Sequence, residues 1–131
     1  MKELKHNGII HLKEFDVDIK PYLTMAEMDA ICTEMLETDN YFEREAKLIS
    51  GVVSFACEDI KEGTDIDLLL DCGLWNMIQY HLFAYIEKIK SAMHYYDSVN
   101  YTLNSLTKNA DDLMKSIEVL KENNEAQDDK K

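Results

Sequence analysis

The chain has 131 residues, 46% of them hydrophobic, and a formal net charge of −12 at pH 7. That is one domain's worth of chain with enough apolar content for a packed core, which excludes a disordered polypeptide. Arg44 is the only arginine, and acidic residues outnumber basic ones by 15 to 7 through Asp65 and by 11 to 7 after it. Phosphate recognition runs on Arg and Lys clusters, so direct binding to nucleic acid or to an anionic membrane is disfavoured.

Residues 1–23 differ from the rest. Asn7-Gly8 is a favoured hairpin turn, and Phe15, Val17 and Ile19 alternate with Asp16, Asp18 and Lys20 at the period of a half-buried strand. This predicts a short hairpin or an extended arm, ended by Pro21, the only proline, which biases Lys20 away from helix. Thr24-Met25-Ala26-Glu27 is a capping box opening a helix from Met25 to about Glu37, with Met28, Ile31, Cys32 and Met35 inward. Thr38-Asp39-Asn40 breaks and recaps the chain. A second helix should run from Tyr41 to about Asp59. Its inward face is Phe42, Ala46, Ile49, Val53 and Ala56, widened by Leu48, Val52 and Phe55. Lys61-Glu62-Gly63-Thr64 reads as a loop, Asp65 as the cap of a short helix through Leu70, and Gly73 as a left-handed stop.

After Gly73 there is neither glycine nor proline, and apolar or small residues recur at 3,4 spacing. They are Trp75, Ile78, Leu82, Tyr85, Ile89, Ala92, Tyr96, Val99, Leu103, Leu106, Ala110, Leu113, Ile117 and Leu120. The pattern predicts one long helix, or two nearly collinear ones, of about 70 Å, carrying a continuous seam. Between Leu74 and Tyr101 the side positions Leu74, Met77, Tyr80, Phe83, Ile86, Met93 and Tyr95 are also apolar, which predicts a stretch surrounded by the earlier helices. Beyond Tyr101 the off-seam positions become Asn104, Ser105, Lys108, Asp111, Asp112, Lys115 and Glu118, leaving a narrow stripe of the coiled-coil kind that calls for a partner helix. Either the helix breaks near Ser98–Asn104 and folds back, or the distal half pairs with another chain; the absence of Gly and Pro there favours self-association. The expected interface is Tyr96, Val99, Leu103, Leu106, Ala110, Leu113, Ile117 and Leu120. From Glu122 the chain is polar and aperiodic, which predicts a frayed tail.

The fold class is therefore mainly α: an N-terminal hairpin or arm, then two to three short helices packed on the first half of a long heptad-patterned helix. The predicted organisation is an arm over 1–23, a helical core over 24–101, a coiled-coil extension over 102–122 and a disordered tail over 123–131.

Chemistry-bearing residues are sparse. Cys32, Cys57 and Cys72 form no C-x-x-C pair and lie among apolar neighbours, as buried reduced thiols of a cytoplasmic protein do. The N-terminus lacks signal-peptide character, and no uncharged run approaches the length that spans a bilayer. His6 and His11 flank the Asn-Gly turn and face each other if a hairpin forms there, while His81 and His94 are too far apart along one helix to share a metal. Asp59, Glu62, Asp65, Asp67 and Asp71 are dense, but the glycine of a calcium loop is misplaced and its terminal bidentate glutamate is missing. No nucleophile-elbow, zincin, phosphate-loop or dinucleotide motif occurs. The expectation is a protein that is not an enzyme and has no catalytic residue, metal or cofactor. Tyr80, Tyr85, Tyr95, Tyr96 and Tyr101 have only Lys88 and Lys90 beside them, which suits packing in a core or interface better than base stacking.

The run Val17-Asp18-Ile19-Lys20-Pro21-Tyr22-Leu23-Thr24, the segment Arg44-Glu45-Ala46 and the run Asp71-Cys72-Gly73-Leu74-Trp75 carry a resemblance. Over residues 15 to about 90, the order of elements resembles small acidic helical proteins of bacteriophage structural gene clusters. The resemblance implies a structural or accessory role in virion assembly, in the virion or the host cytoplasm, without catalysis, and it transfers no functional residue. Homo-oligomerisation and contact with a virion component follow as expected partnerships. A second class is open from the charge alone: an acidic inhibitor docking on a basic, nucleic-acid-handling host protein. A third is a small enzyme or ligand carrier using the tyrosine-rich stretch.

Overall fold

A computed structural model describes residues 2–128, which run as β1 (Ile10–Leu12), β2 (Val17–Ile19), α1 (Met25–Met35), α2 (Tyr41–Ala56), α3 (Ile66–Asp71) and α4 (Leu74–Asp128). It is mainly helical with a two-stranded antiparallel hairpin at the N-terminal end, the fold class the periodicities predict. The described chain divides into two compact units, one up to Met93 and one from His94 onward.

The hairpin pairs Ile10 with Ile19, His11 with Asp18 and Leu12 with Val17. Its turn is Lys13–Asp16, with Asp16 in the left-handed region (φ 50°), a conformation that aspartate tolerates. The turn is thus not at Asn7-Gly8, where residues 2–9 form no strand. A turn at Asn7-Gly8 would need an apolar strand before it, and Lys2-Glu3-Leu4-Lys5-His6 has none to bury. His6 accordingly does not sit across a hairpin from His11. Instead its ring stacks on Tyr22 at 3.9 Å between centroids.

Leu12, Val17 and Ile19 turn inward, and Pro21 and Leu23 carry the chain into the core before α1 starts. The Lys20 N–H donates to the Ala56 carbonyl (2.8 Å), tying β2 to the end of α2. The Lys20 ammonium donates to both Glu27 carboxylate oxygens (2.8 and 2.9 Å) and lies 4.9 Å from the centre of the Tyr22 ring. Glu27 also completes the capping box, since the Thr24 N–H donates to its carboxylate at 2.8 Å while the Glu27 N–H donates to Thr24 Oγ1 at 3.1 Å. Burial alone would raise the Glu27 pKa, but the Lys20 charge and the Thr24 donors outweigh it and hold the carboxyl below its ordinary value.

Helix α1 buries Met28, Ile31, Cys32 and Met35, the four residues its spacing selects. Asn40 caps α2 by accepting from the Glu43 N–H (3.0 Å), and α2 buries Leu48, Ile49, Val52, Val53 and Ala56. Phe42 is not inward: it is 78% exposed, beside Tyr41 in the first turn of α2, where α1 no longer covers it. Arg44 closes the α1–α2 corner by donating from Nε to the Thr38 carbonyl at 2.7 Å, and Lys47 reaches Glu37 at 2.9 Å. Asp65 caps α3, which ends at Cys72, with Gly73 left-handed at φ 84°.

The first part of α4 completes the core with Leu74, Trp75, Ile78, Leu82, Ile86, Ile89 and Met93. From Trp75 to Met93 these positions advance 18 residues in five steps, an average of 3.6, the ordinary α-helical repeat, across a kink at Leu82. Two seam residues are therefore displaced: Ile86 and Met93 are buried, while Tyr85 and Ala92 are only half-buried. Nor is the stretch surrounded. Met77, Tyr80, Phe83 and Tyr95 are exposed, because the core covers one face of α4 and ends at Met93 rather than Tyr101. Leu82 leaves helical dihedrals (φ −113°, ψ 15°) and kinks the helix, whereas 98–104 stays helical, so the chain does not fold back there. The backbone is also helical through Asp128, where a frayed tail from Glu122 was expected; the rest of that tail, 129–131, lies outside the described residues.

Candidate protein–protein interface

The distal unit of α4 presents the eight predicted interface residues in one stripe. Tyr96 (38%), Val99 (37%) and Ile117 (39%) are the least exposed, Leu103, Leu106, Leu113 and Leu120 are 56–62% exposed, and Ala110 is also exposed. From Tyr96 to Leu120 the stripe advances 24 residues in seven steps, an average of about 3.4, near the 3.5 repeat of a coiled-coil seam. The change of period separates the two parts of the helix: the proximal residues suit a globular core, the distal ones another helix.

The stripe is flanked by Tyr95, Thr102, Asn109 and Ser116 on one side and by Asn100, Thr107, Met114 and Lys121 on the other. Lys121 is the one charge among those eight flanking positions; the acids Asp97, Asp111, Asp112 and Glu118 lie farther round the helix. Four serine and threonine hydroxyls near the stripe are satisfied by their own helix. Ser98, Thr102, Thr107 and Ser116 each donate to the carbonyl four residues back, at 2.9, 3.0, 2.9 and 3.1 Å. Covering Thr102, Thr107 and Ser116 with a second helix therefore orphans none of these three hydroxyl donors.

The other candidate residues fall elsewhere. His11 Nδ1 contacts the Asp18 carboxylate at 2.7 Å, and the Asp18 N–H donates to Asp59 at 3.0 Å, so these groups hold the hairpin against the end of α2. Asp65 is occupied as a cap. Among the described residues no group of three or more His, Cys, Asp or Glu side chains is placed to hold a metal ion. Cys32 and Cys57 are buried, and burial, reinforced by Asp59, pushes the Cys57 thiol up to about 12, which leaves it protonated at neutral pH. Cys72 departs from the expectation: as the C-cap of α3 it is exposed. Tyr80 and Tyr101 are more than three-quarters exposed, and Tyr85 alone of the five clustered tyrosines packs against the core. An open groove runs beside α2, floored by Ile31 and Gly51 and lined by Lys47, Glu58 and Lys61. Periodicity gave no sign of it, since it is made by the loop before α3.

No helix among the described residues is long and apolar enough to cross a membrane. Comparison with protein-family models, with curated proteins and with solved structures finds no match to the chain.

Proposed function

We propose that this chain is a non-enzymatic protein–protein interaction protein that self-associates through the distal stripe of α4 and serves as a structural or accessory factor in bacteriophage virion assembly. The observation that carries the assembly role is the stripe itself: eight aligned apolar or small residues at coiled-coil period, each more than a third exposed. An exposed apolar surface of this extent marks an interaction site. The link to virion assembly rests on the resemblance of residues 15 to about 90 to phage structural-cluster proteins. Cys57, buried and with its pKa raised, is protonated at neutral pH and is a poor nucleophile.

The test is the absolute molar mass by light scattering across a concentration series. The parent chain is expected to exceed its 15.2 kDa monomer mass, and the variant with Leu106→Glu, Leu113→Glu and Ile117→Glu to return to it. These residues lie outside the globular core, so the variant keeps its fold. A parent that stays monomeric at every concentration overturns the self-association and leaves the acidic surface as the feature to explain.

A further inference from the structure

Resting on that reading, we infer that the occupant of the stripe is a second copy of this chain, running antiparallel in one register with its two-fold axis at the level of Lys108. Layers then pair Tyr96 with the partner's Leu120, Val99 with Ile117, Leu103 with Leu113, and Leu106 with Ala110. Size complementarity selects this arrangement. A parallel, in-register pair stacks Ala110 on Ala110 and Tyr96 on Tyr96, leaving a void in one layer and crowding in another. The antiparallel register sets the small residue against a leucine and the large one at an end, and it covers all eight stripe residues. A slip of one heptad one way puts Val99 opposite Asn124. The opposite slip puts Leu120 opposite Ile89, which the globular core already buries.

Charge and area agree. The flanks carry only Lys121, so two chains of net charge −12 can approach along the stripe without like charges facing each other, and a basic partner helix finds no acid there to pair with. Seven of the eight side chains are 37–62% exposed in one unbroken apolar strip, the material from which an interface on the scale of ~800 Å² per partner is built.

Disulfide trapping tests the register. In a Cys72→Ser background, Leu103→Cys and Leu113→Cys variants are mixed, oxidised mildly and compared with each variant alone. The antiparallel register brings the two positions within disulfide reach only in the mixture, which should give roughly tenfold more covalent dimer than either variant alone. Covalent dimer from L103C alone overturns the inference in favour of a parallel pair. A noncovalent dimer by light scattering with no trapping in the mixture overturns the register. Both results leave self-association standing. A monomeric mass for both reduced variants and the parent overturns self-association itself.

Discussion

Replacing Gly51 by alanine puts a Cβ 2.7 Å from Ile31 Cγ1, 3.3 Å from its Cδ1 and 3.4 Å from its Cγ2, at the point where α2 crosses α1. Ile31 is 1% exposed, and its χ1 is stiff because it is β-branched and helical, so it yields only by displacing packed neighbours. Overpacking of this kind costs about 1–3 kcal/mol. Against it stands the gain of about 0.8–1 kcal/mol from replacing glycine by alanine inside a helix. The net expectation is a loss of about 1 kcal/mol, a fall in Tm of about 4–8 °C for a unit of this size. Urea unfolding followed by circular dichroism should show a lower midpoint with an unchanged slope. In an Ile31→Ala background the clash is gone and Gly51→Ala should become stabilising by up to about 1 kcal/mol. A stabilising Gly51→Ala in the parent, or the same cost in both backgrounds, would refute the close approach of the two helices.

Two further predictions concern titratable groups. The Glu27 carboxyl is held below its ordinary pKa in the folded chain, so its contribution is present above the unfolded value near ~4.3 and is lost as pH falls through the folded value. Glu27→Gln should cost about 1–2 kcal/mol at pH 7, and the gap from the parent should close on acidification; a gap independent of pH contradicts the Lys20–Glu27 geometry. Cys72 should react with iodoacetamide in the folded protein at pH 8 while Cys57 stays unmodified until unfolding, as peptide mass mapping would show. Equal rates at the two cysteines would contradict the burial of Cys57.

Helix starts were readable residue by residue, because capping is chemistry within three residues. Thr24, Asn40 and Asp65 accept the backbone N–H groups their positions predict, and Gly73 takes the left-handed stop. The buried face of α1 followed from spacing alone because Met28, Ile31, Cys32 and Met35 share one side of a short helix that meets a single core. Tertiary placement decided the rest. Asn7-Gly8 is the stronger local turn signal, yet the hairpin turns at Asp16, where Leu12 and Val17 on either side can both reach the core. Phe42 belongs to the apolar period of α2 but lies beyond the cover that α1 supplies. Along α4 the letters permit both a 3.5 and a 3.6 repeat. The globular packing selects Ile86 and Met93 over Tyr85 and Ala92: the 3.6 repeat departs from a strict heptad seam, the helix kinks at Leu82 just before the two patterns part, and only the elements packed against it fix which residues turn inward.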